Sequence, residues 1–187
     1  MMTGLKKTVM LANQSSGESI VWNQLISGAQ NAVLLENGNY KNTKSSTLIR
    51  MLVNGSVSSD LYKGHKILRR AGFKVIDKGD FALLQAYFFS TSTFINKSVV
   101  EDGNISLINI TTCNTTANLC YWRGKTESGG YPTSGTFEFN FWAHDLTLMF
   151  GAGNEPTSFD EFIERINPYM SQIGNINDYN EGETISI

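Results

Sequence analysis

Little in this sequence is charged, and neither sign dominates. Asp and Glu number 17 against 15 Lys and Arg, and charged residues make up only 17% of the 187. A formal charge of -2 gives no electrostatic footing for nucleic acid, which needs a clustered excess of Lys and Arg. The densest basic stretch, "KGHKILRR" at residues 63 to 70, is one strand's worth and reads as a solvated strand face. Long apolar runs are also missing. None approaches the roughly 20 continuous apolar residues of a membrane helix, so no membrane insertion is expected. The opening "MMTGLKKTVMLANQSS" has neither an apolar core nor a small-residue cleavage site, so no signal peptide is read and folding in a cytoplasm is expected.

Cysteine and histidine are scarce too, at two each. Cys113 and Cys120 are the two ends of "CNTTANLC", and on a hairpin spanning 106 to 122 they would face each other at disulfide distance. Without a secretion signal the expected state is two reduced thiols. His65 and His144 fall in distant, differently patterned segments, so neither a metal site nor a cofactor site is read.

Apolar residues, at 41%, suffice for one folded domain with a real core. Short apolar segments at 5–11, 20–25, 32–35, 47–53, 66–75, 81–89, 105–112, 119–122 and 136–143 read as strands. They are broken by turn signals such as "SSGES", "ENGNYKN", "DKGD" and "ESGGYPTSG". In "TFEFNFWAH", Phe137, Phe139 and Phe141 alternate with Glu138, Asn140 and Trp142, the pattern of a half-buried antiparallel strand. "FALLQAYFF" is less regular and reads as a strand buried on both sides, and Trp22 reads as core. The expected fold is all-β, a β-sandwich or jelly roll with one short C-terminal helix packed on the sheet. Residues 1–16 would be an N-terminal strand or an assembly arm, and 17–187 a single β-sandwich domain.

The helix follows "DLTLMFGAGNEPTSFDEF", residues 145 to 162. Apolar strand, glycine loop and helix is the order in which nucleotide phosphates are often held, but the third glycine of G-x-G-x-x-G is missing and no GK[ST] follows. Glu155 would also repel a phosphate there. The expected role is a corner: Gly151 and Gly153 let the chain leave the sheet, Pro156 stiffens the connection, and Ser158 with Glu161 forms a capping box. Phe159, Phe162, Ile163 and Ile166 then make one apolar stripe, which Asn167-Pro168 ends. Phe150 and Phe159 would close over the sheet edge.

The same stretch resembles a signature in tail-associated proteins of bacteriophages and prophages. There Asp-Leu-Thr, Met-Phe-Gly-x-Gly-Asn-Glu-Pro and a Phe-containing helix end a β-sandwich module related to carbohydrate-binding jelly rolls. The likeness covers residues 145 to 166. Weaker similarity extends to "WNQL" at 22–25, a lead-in strand, to "GHK" at 64–66, and to "DYNEGETIS" at 178–186, a closing strand. Ile67 and Leu68 stand where such modules commonly carry aromatic residues after "GHK". The resemblance implies architectural positions with no catalytic role at Asp145, Phe150, Gly151, Gly153, Asn154, Pro156, Ser158, Phe159 and Phe162. It implies a non-enzymatic virion component, a tail, baseplate, fibre or capsid-decoration subunit made in the host bacterial cytoplasm. Its partners would be other virion proteins and further copies of itself, a trimer being favoured, joined through a sheet edge or the N-terminal arm.

No pattern of chemistry competes with this. Asp160 and Glu161 suit the first turn of a helix, no nucleophile elbow is present, and His144 beside Asp145 reads as a strand-end polar pair. The alternative is a module recognising a cell-surface glycan. Sugar sites on β-sandwiches stack C–H faces on aromatic rings beside amide and carboxylate groups. The candidates are Tyr62, Tyr121, Trp122, Tyr131 and Trp142.

Overall fold

A computed structural model describes residues 8–12, 18–23, 25–43, 49–53, 63–88, 94–99, 104–113 and 120–174. In chain order its strands are β1 (Thr8–Ala12), β2 (Ser19–Asn23), β3 (Ile26–Gln30), β4 (Ala32–Leu34), β5 (Tyr40–Asn42) and β6 (Ile49–Val53). They continue with β7 (Lys66–Asp77), β8 (Leu83–Phe88), β9 (Phe94–Ser98), β10 (Asn104–Thr112), β11 (Cys120–Lys125) and β12 (Thr136–Asp145). Helices α1 (Leu146–Phe150), α2 (Phe159–Ile166) and α3 (Met170–Gly174) close the described chain.

The strands form two five-stranded antiparallel sheets, β10-β7-β12-β5-β4 and β3-β6-β11-β8-β9, and a two-stranded ribbon, β1-β2. Ile67, Ala71, Phe73 and Val75 of β7 and Phe137 and Phe139 of β12 meet Ile49 and Leu84 of the other sheet in one buried cluster. The fold is a β-sandwich. Its core is aromatic: the Phe137 ring stands edge-on to Phe81 at 5.4 Å and to Phe73 at 5.6 Å, while Tyr40 stacks on Phe139 at 5.7 Å. Each such ring contributes roughly 1.5–3 kcal/mol through burial.

The first sheet is covered on its other face as well. Leu68 of β7 joins Leu11, Ile20 and Trp22 of the ribbon and Leu146, Met149, Phe162 and Ile166 of the helical segment in a second cluster. This explains the burial pattern of β7, buried at every position from Ile67 to Val75 except Arg70 and Lys74, as expected of a strand sandwiched between two layers.

The strand alternation of β12 is as expected, with Phe137 and Phe139 buried and Glu138, Asn140 and Trp142 half-buried opposite. Trp22 is core, 2% exposed. Other expectations are corrected. Residues 106–122 are no hairpin, because β10 and β11 lie in different sheets; Cys113 is a buried thiol. β8 has one core face, with Leu84 buried and Leu83 and Gln85 half-buried. The basic stretch is not a solvated face: Arg69 is 2% exposed and donates to Thr111 Oγ1 at 3.2 Å. β3, β5 and β9 carry too little periodicity to be read in advance. β5 exists because it pairs with β12 and because Asn42 clasps the start of that strand, accepting from Phe137 N at 2.9 Å and donating to the Gly135 carbonyl at 3.3 Å.

Candidate functional site

The signature forms the corner at the end of β12. Asp145 caps α1, its Oδ1 accepting from Leu148 N at 2.9 Å. Gly151 (φ 86°) and Gly153 (φ 85°) take the left-handed region that favours glycine. Asn154 N donates to the Gly151 carbonyl, Pro156 is buried, and Ser158 caps α2 by accepting from Glu161 N at 3.1 Å. The capping box is widened by one residue, since the Glu161 carboxylate returns to Thr157 N and Oγ1 and not to the cap residue itself.

Within the loop Glu155 does what an external anion would otherwise do. It accepts from Thr147 Oγ1 at 2.7 Å and from Gly153 N at 2.9 Å, and Lys66 Nζ is 3.9 Å away. The Thr147 bond is the first cause that holds its carboxyl below the usual range. The loop amide at Gly153 that would face a phosphate is therefore occupied by the chain's own carboxylate.

Phe150, Phe159 and Phe162 close over the sheet, with ring centroids 6.4 Å apart for Phe150–Phe162 and 6.1 Å for Phe159–Phe162. The stripe of α2 is narrower than its spacing suggests: Phe162 and Ile166 are buried, while Ile163 is 39% exposed. Asn167-Pro168 ends α2, but Asn167 stays helical and the chain runs on through a 3-10 turn, Asn167–Tyr169, into α3. Burying Tyr169, 4% exposed, is reason enough to keep that direction.

The two histidines, far apart in sequence, lie at neighbouring ends of β7 and β12. Asp145 pairs with His65, not with His144: its Oδ2 is 2.6 Å from His65 Nδ1. His144 is sealed between the rings of Trp22 and Phe162, its Nδ1 against the Asn23 carbonyl and its Nε2 buried without a hydrogen-bond partner. Among the described residues, no three His, Cys, Asp or Glu side chains converge to hold a metal ion.

The second sheet presents a different surface. Arg50, Tyr121 and Tyr87 are register partners across β6, β11 and β8, and Arg123 partners Gln85 in the next row. Arg50 is exposed and Gln30, its partner on β3, is too, whereas Ile49 and Leu84 on the alternate positions are core. This is the sandwich's open face. Arg123 Nε donates to Gln85 Oε1 at 3.1 Å, and Nη1 reaches the Tyr131 hydroxyl at 3.4 Å. Lys125 Nζ lies 4.3 Å from the Tyr131 ring centroid and donates to the Gly129 carbonyl at 2.9 Å.

Tyr131 itself is 54% exposed. Its loop is pinned by Asp80, whose carboxylate accepts from the amides and hydroxyls of both Thr133 and Ser134 at 2.9–3.2 Å. Those two amides are the leading cause that lowers the Asp80 carboxyl to about 2.

Of the five residues named from the sequence, Tyr131 places an exposed ring on this face. Tyr121 lies in its central strand. Trp122 is the register partner of Ile49 on β6. Tyr62 and the side chains of Tyr121 and Trp122 lie outside the described residues. Trp142 is elsewhere, on the outer side of the first sheet, with the Arg70 guanidinium 4.5 Å from its ring centroid. Sequence reasoning passed over Arg50, Gln85, Arg123, Lys125 and Asp80. Arg123 and Lys125 alternate in "YWRGK", which is the one local signal they carry. A separate groove of about 550 Å³ lies between Ile20, Met149, Phe150, Pro168 and Tyr169. It borders Arg165, which is committed to Glu161 and the Asn154 carbonyl.

No family model matches the chain. No curated protein matches it in sequence. Solved structures resemble it at low identity. A family 16 carbohydrate-binding module is 12% identical over 65% of this chain and 86% of its own, with TM-score 0.33. A mutant of a family 29 carbohydrate-binding module, CBM29-2, is 9% identical over 75% of this chain and 91% of its own, with TM-score 0.35. The CBM22-1–GH10 modules of the Clostridium thermocellum xylanase 10B are 13% identical over 82% of this chain and 26% of theirs, with TM-score 0.31.

Proposed function

We propose that this chain is a non-catalytic carbohydrate-binding module and that the open face of the second sheet, with Tyr131 as its platform, receives the sugar. The observation that carries the reading is the state of that ring. It is exposed, its hydroxyl is tied to Arg123, and Lys125 sits against the ring. A ring held this way loses little freedom on binding and offers apolar area to a sugar's C–H face. Gln85 and Arg123 stand beside it as directed polar groups. Asp80, the carboxylate that pins the platform loop, is engaged by four donors, which suits a clamp better than an acid catalyst. The test is calorimetric titration with soluble plant and bacterial polysaccharides, wild type against Tyr131→Ala. Loss of binding with an unchanged unfolding midpoint is expected; equal binding by both proteins would remove the platform.

The likeness of residues 145–166 to phage tail-associated proteins favours a second, compatible reading, that the module is carried on a phage particle as a homo-oligomeric subunit. In support, the positions of the motif are spent on building a corner: two caps, two left-handed glycines and a carboxylate buttress. Mass spectrometry of purified particles tests it. Presence in the lysate with absence from the particles would sink it.

A further inference from the structure

We infer that His144 is an acid-sensitive latch: it holds the β1-β2 ribbon and the helical segment against the first sheet and lets them lift away in mild acid, while the sandwich stays folded. The ribbon belongs to neither five-stranded sheet. Its Leu11, Ile20 and Trp22 share a buried cluster with residues of α1 and α2, and that cluster has no member in common with the sandwich core. The layer can therefore part from the outer face of β7 and β12 without breaking a sheet ladder or opening that core. It has little stability of its own, because a two-stranded ribbon and helices of five and eight residues are marginal in isolation. The seam between its two halves opens into the groove of about 550 Å³, where Ile20 of the ribbon faces Met149, Phe150 and Tyr169.

His144 sits at the joint of this layer. Its ring centroid lies 4.6 Å from that of Trp22 on the ribbon and 5.6 Å from that of Phe162 on α2. The Asn23 carbonyl can only accept, so Nδ1 carries the proton and Nε2 presents a bare lone pair. That lone pair is buried and has no hydrogen-bond partner. A second proton would strand a charged N–H between two rings, which the closed layer resists. Once the layer lifts, water solvates the imidazolium, so acid favours the open form. Among the described residues, the charged groups on the surrounding elements are few. Arg70 of β7 opposes protonation, Lys66 of β7 lies near Glu155, and Asp145 of β12 is engaged by His65 and by the cap of α1. On α2, Asp160, Glu164 and Arg165 are exposed, and Glu161 is bonded to Thr157 and Arg165. The phenol of Tyr169 packs in the same cluster, while β1, β2, β10 and α1 carry no titratable side chain. Burial lowers the pKa of His144 from 6.5 to about 4, so the closed form is fully favoured above pH 6.5 and loses that advantage as pH falls towards about 4.

The experiment is hydrogen exchange of the full chain, read by mass spectrometry at pH 8 and pH 5 and corrected for the intrinsic pH dependence of exchange. Protection of β2 and α2 should fall about 30-fold, the factor that a shift from 6.5 to about 4 implies at pH 5. At pH 5 their amides should also exchange faster than those of β8 and β11 in the second sheet. His144→Phe, which keeps His65, should lose the pH response. His144→Gln, neutral and polar, repeats the test if the phenylalanine variant does not fold. One common exchange rate for both sets of amides at pH 5 would mean that the whole domain opens together, and would overturn the latch. The same loss of protection in the variants would assign it to other groups, and unchanged protection in wild type would show that acid does not open the layer; either result overturns the inference.

Discussion

Asp145 and His65 stand 80 residues apart in the chain and 2.6 Å apart in space, carboxylate Oδ2 to imidazole Nδ1. The antiparallel register that sets Asp145 opposite Ile67 brings the end of β12 to the start of β7. The same carboxylate caps α1, and Asn23 clasps the residue's backbone, accepting from Asp145 N at 2.7 Å and donating to its carbonyl at 3.1 Å. One side chain thus ties both sheet strands to the helical corner, which accounts structurally for an aspartate opening the motif.

Asp145→Ala removes the cap and strands a buried polar cluster, so a loss of about 2–4 kcal/mol is expected. Asp145→Asn keeps the cap oxygen and should lose about half of that. Urea unfolding measures both, and a cost below roughly 1 kcal/mol for the alanine would show that the corner does not depend on this residue.

His144 makes stability fall in mild acid. Burial is the main reason its pKa drops from 6.5 to about 4; the nearby Arg70 charge acts in the same direction, and the bond to the Asn23 carbonyl opposes both. Below pH 6.5 the unfolded chain takes up the proton before the folded one does, so the stabilisation is complete above that pH. It is lost as pH falls towards about 4, where the curve levels. The loss is on the order of 2–3 kcal/mol. Urea midpoints from pH 7 to 4 should show the slope in wild type and not in His144→Phe. An equal slope in both would assign it to other groups.

Gly124 is required for space. A Cβ there would enter the ring of Phe81 and approach Pro132 Cγ at 2.9 Å. Gly135 hems the same ring from another side, where a Cβ would meet Lys78 O at 2.8 Å. Phe81 is 2% exposed and cannot turn aside. Gly124→Ala should cost about 3 kcal/mol by overpacking, read in thermal unfolding. A cost under about 1 kcal/mol would mean that the ring has room to move.

On the proposed glycan-binding reading, Asp80 shapes the platform from outside the ligand face. Asp80→Ala frees Thr133 and Ser134, and with them the loop carrying Tyr131. Glycan affinity should fall several-fold, about as far as an immobilised side chain's entropy allows, with little change in unfolding midpoint. Asp80→Asn, which retains acceptor capacity, should recover part of it. Unchanged affinity in the alanine variant would detach the loop from binding.

Much of this architecture was legible in the sequence. The period-2 alternation of β12, the caps at Ser158 and the left-handed glycines at 151 and 153 are local properties, set by side-chain size, hydrogen bonding and φ preference within a few residues. What only the tertiary structure decided is non-local. β5 is held by its partner, and Arg69 of the basic stretch is buried because it lies on the same side of β7 as the core residues Ile67, Ala71 and Phe73. Asp145 chose His65 over its chain neighbour His144 because successive residues of a strand point to opposite faces. The open face is the clearest case. Arg50, Gln85, Arg123 and Tyr131 come from separate segments, and nothing in any one of them announces a surface. Antiparallel register sets the strand residues side by side, and the loop pinned by Asp80 brings Tyr131 to Arg123.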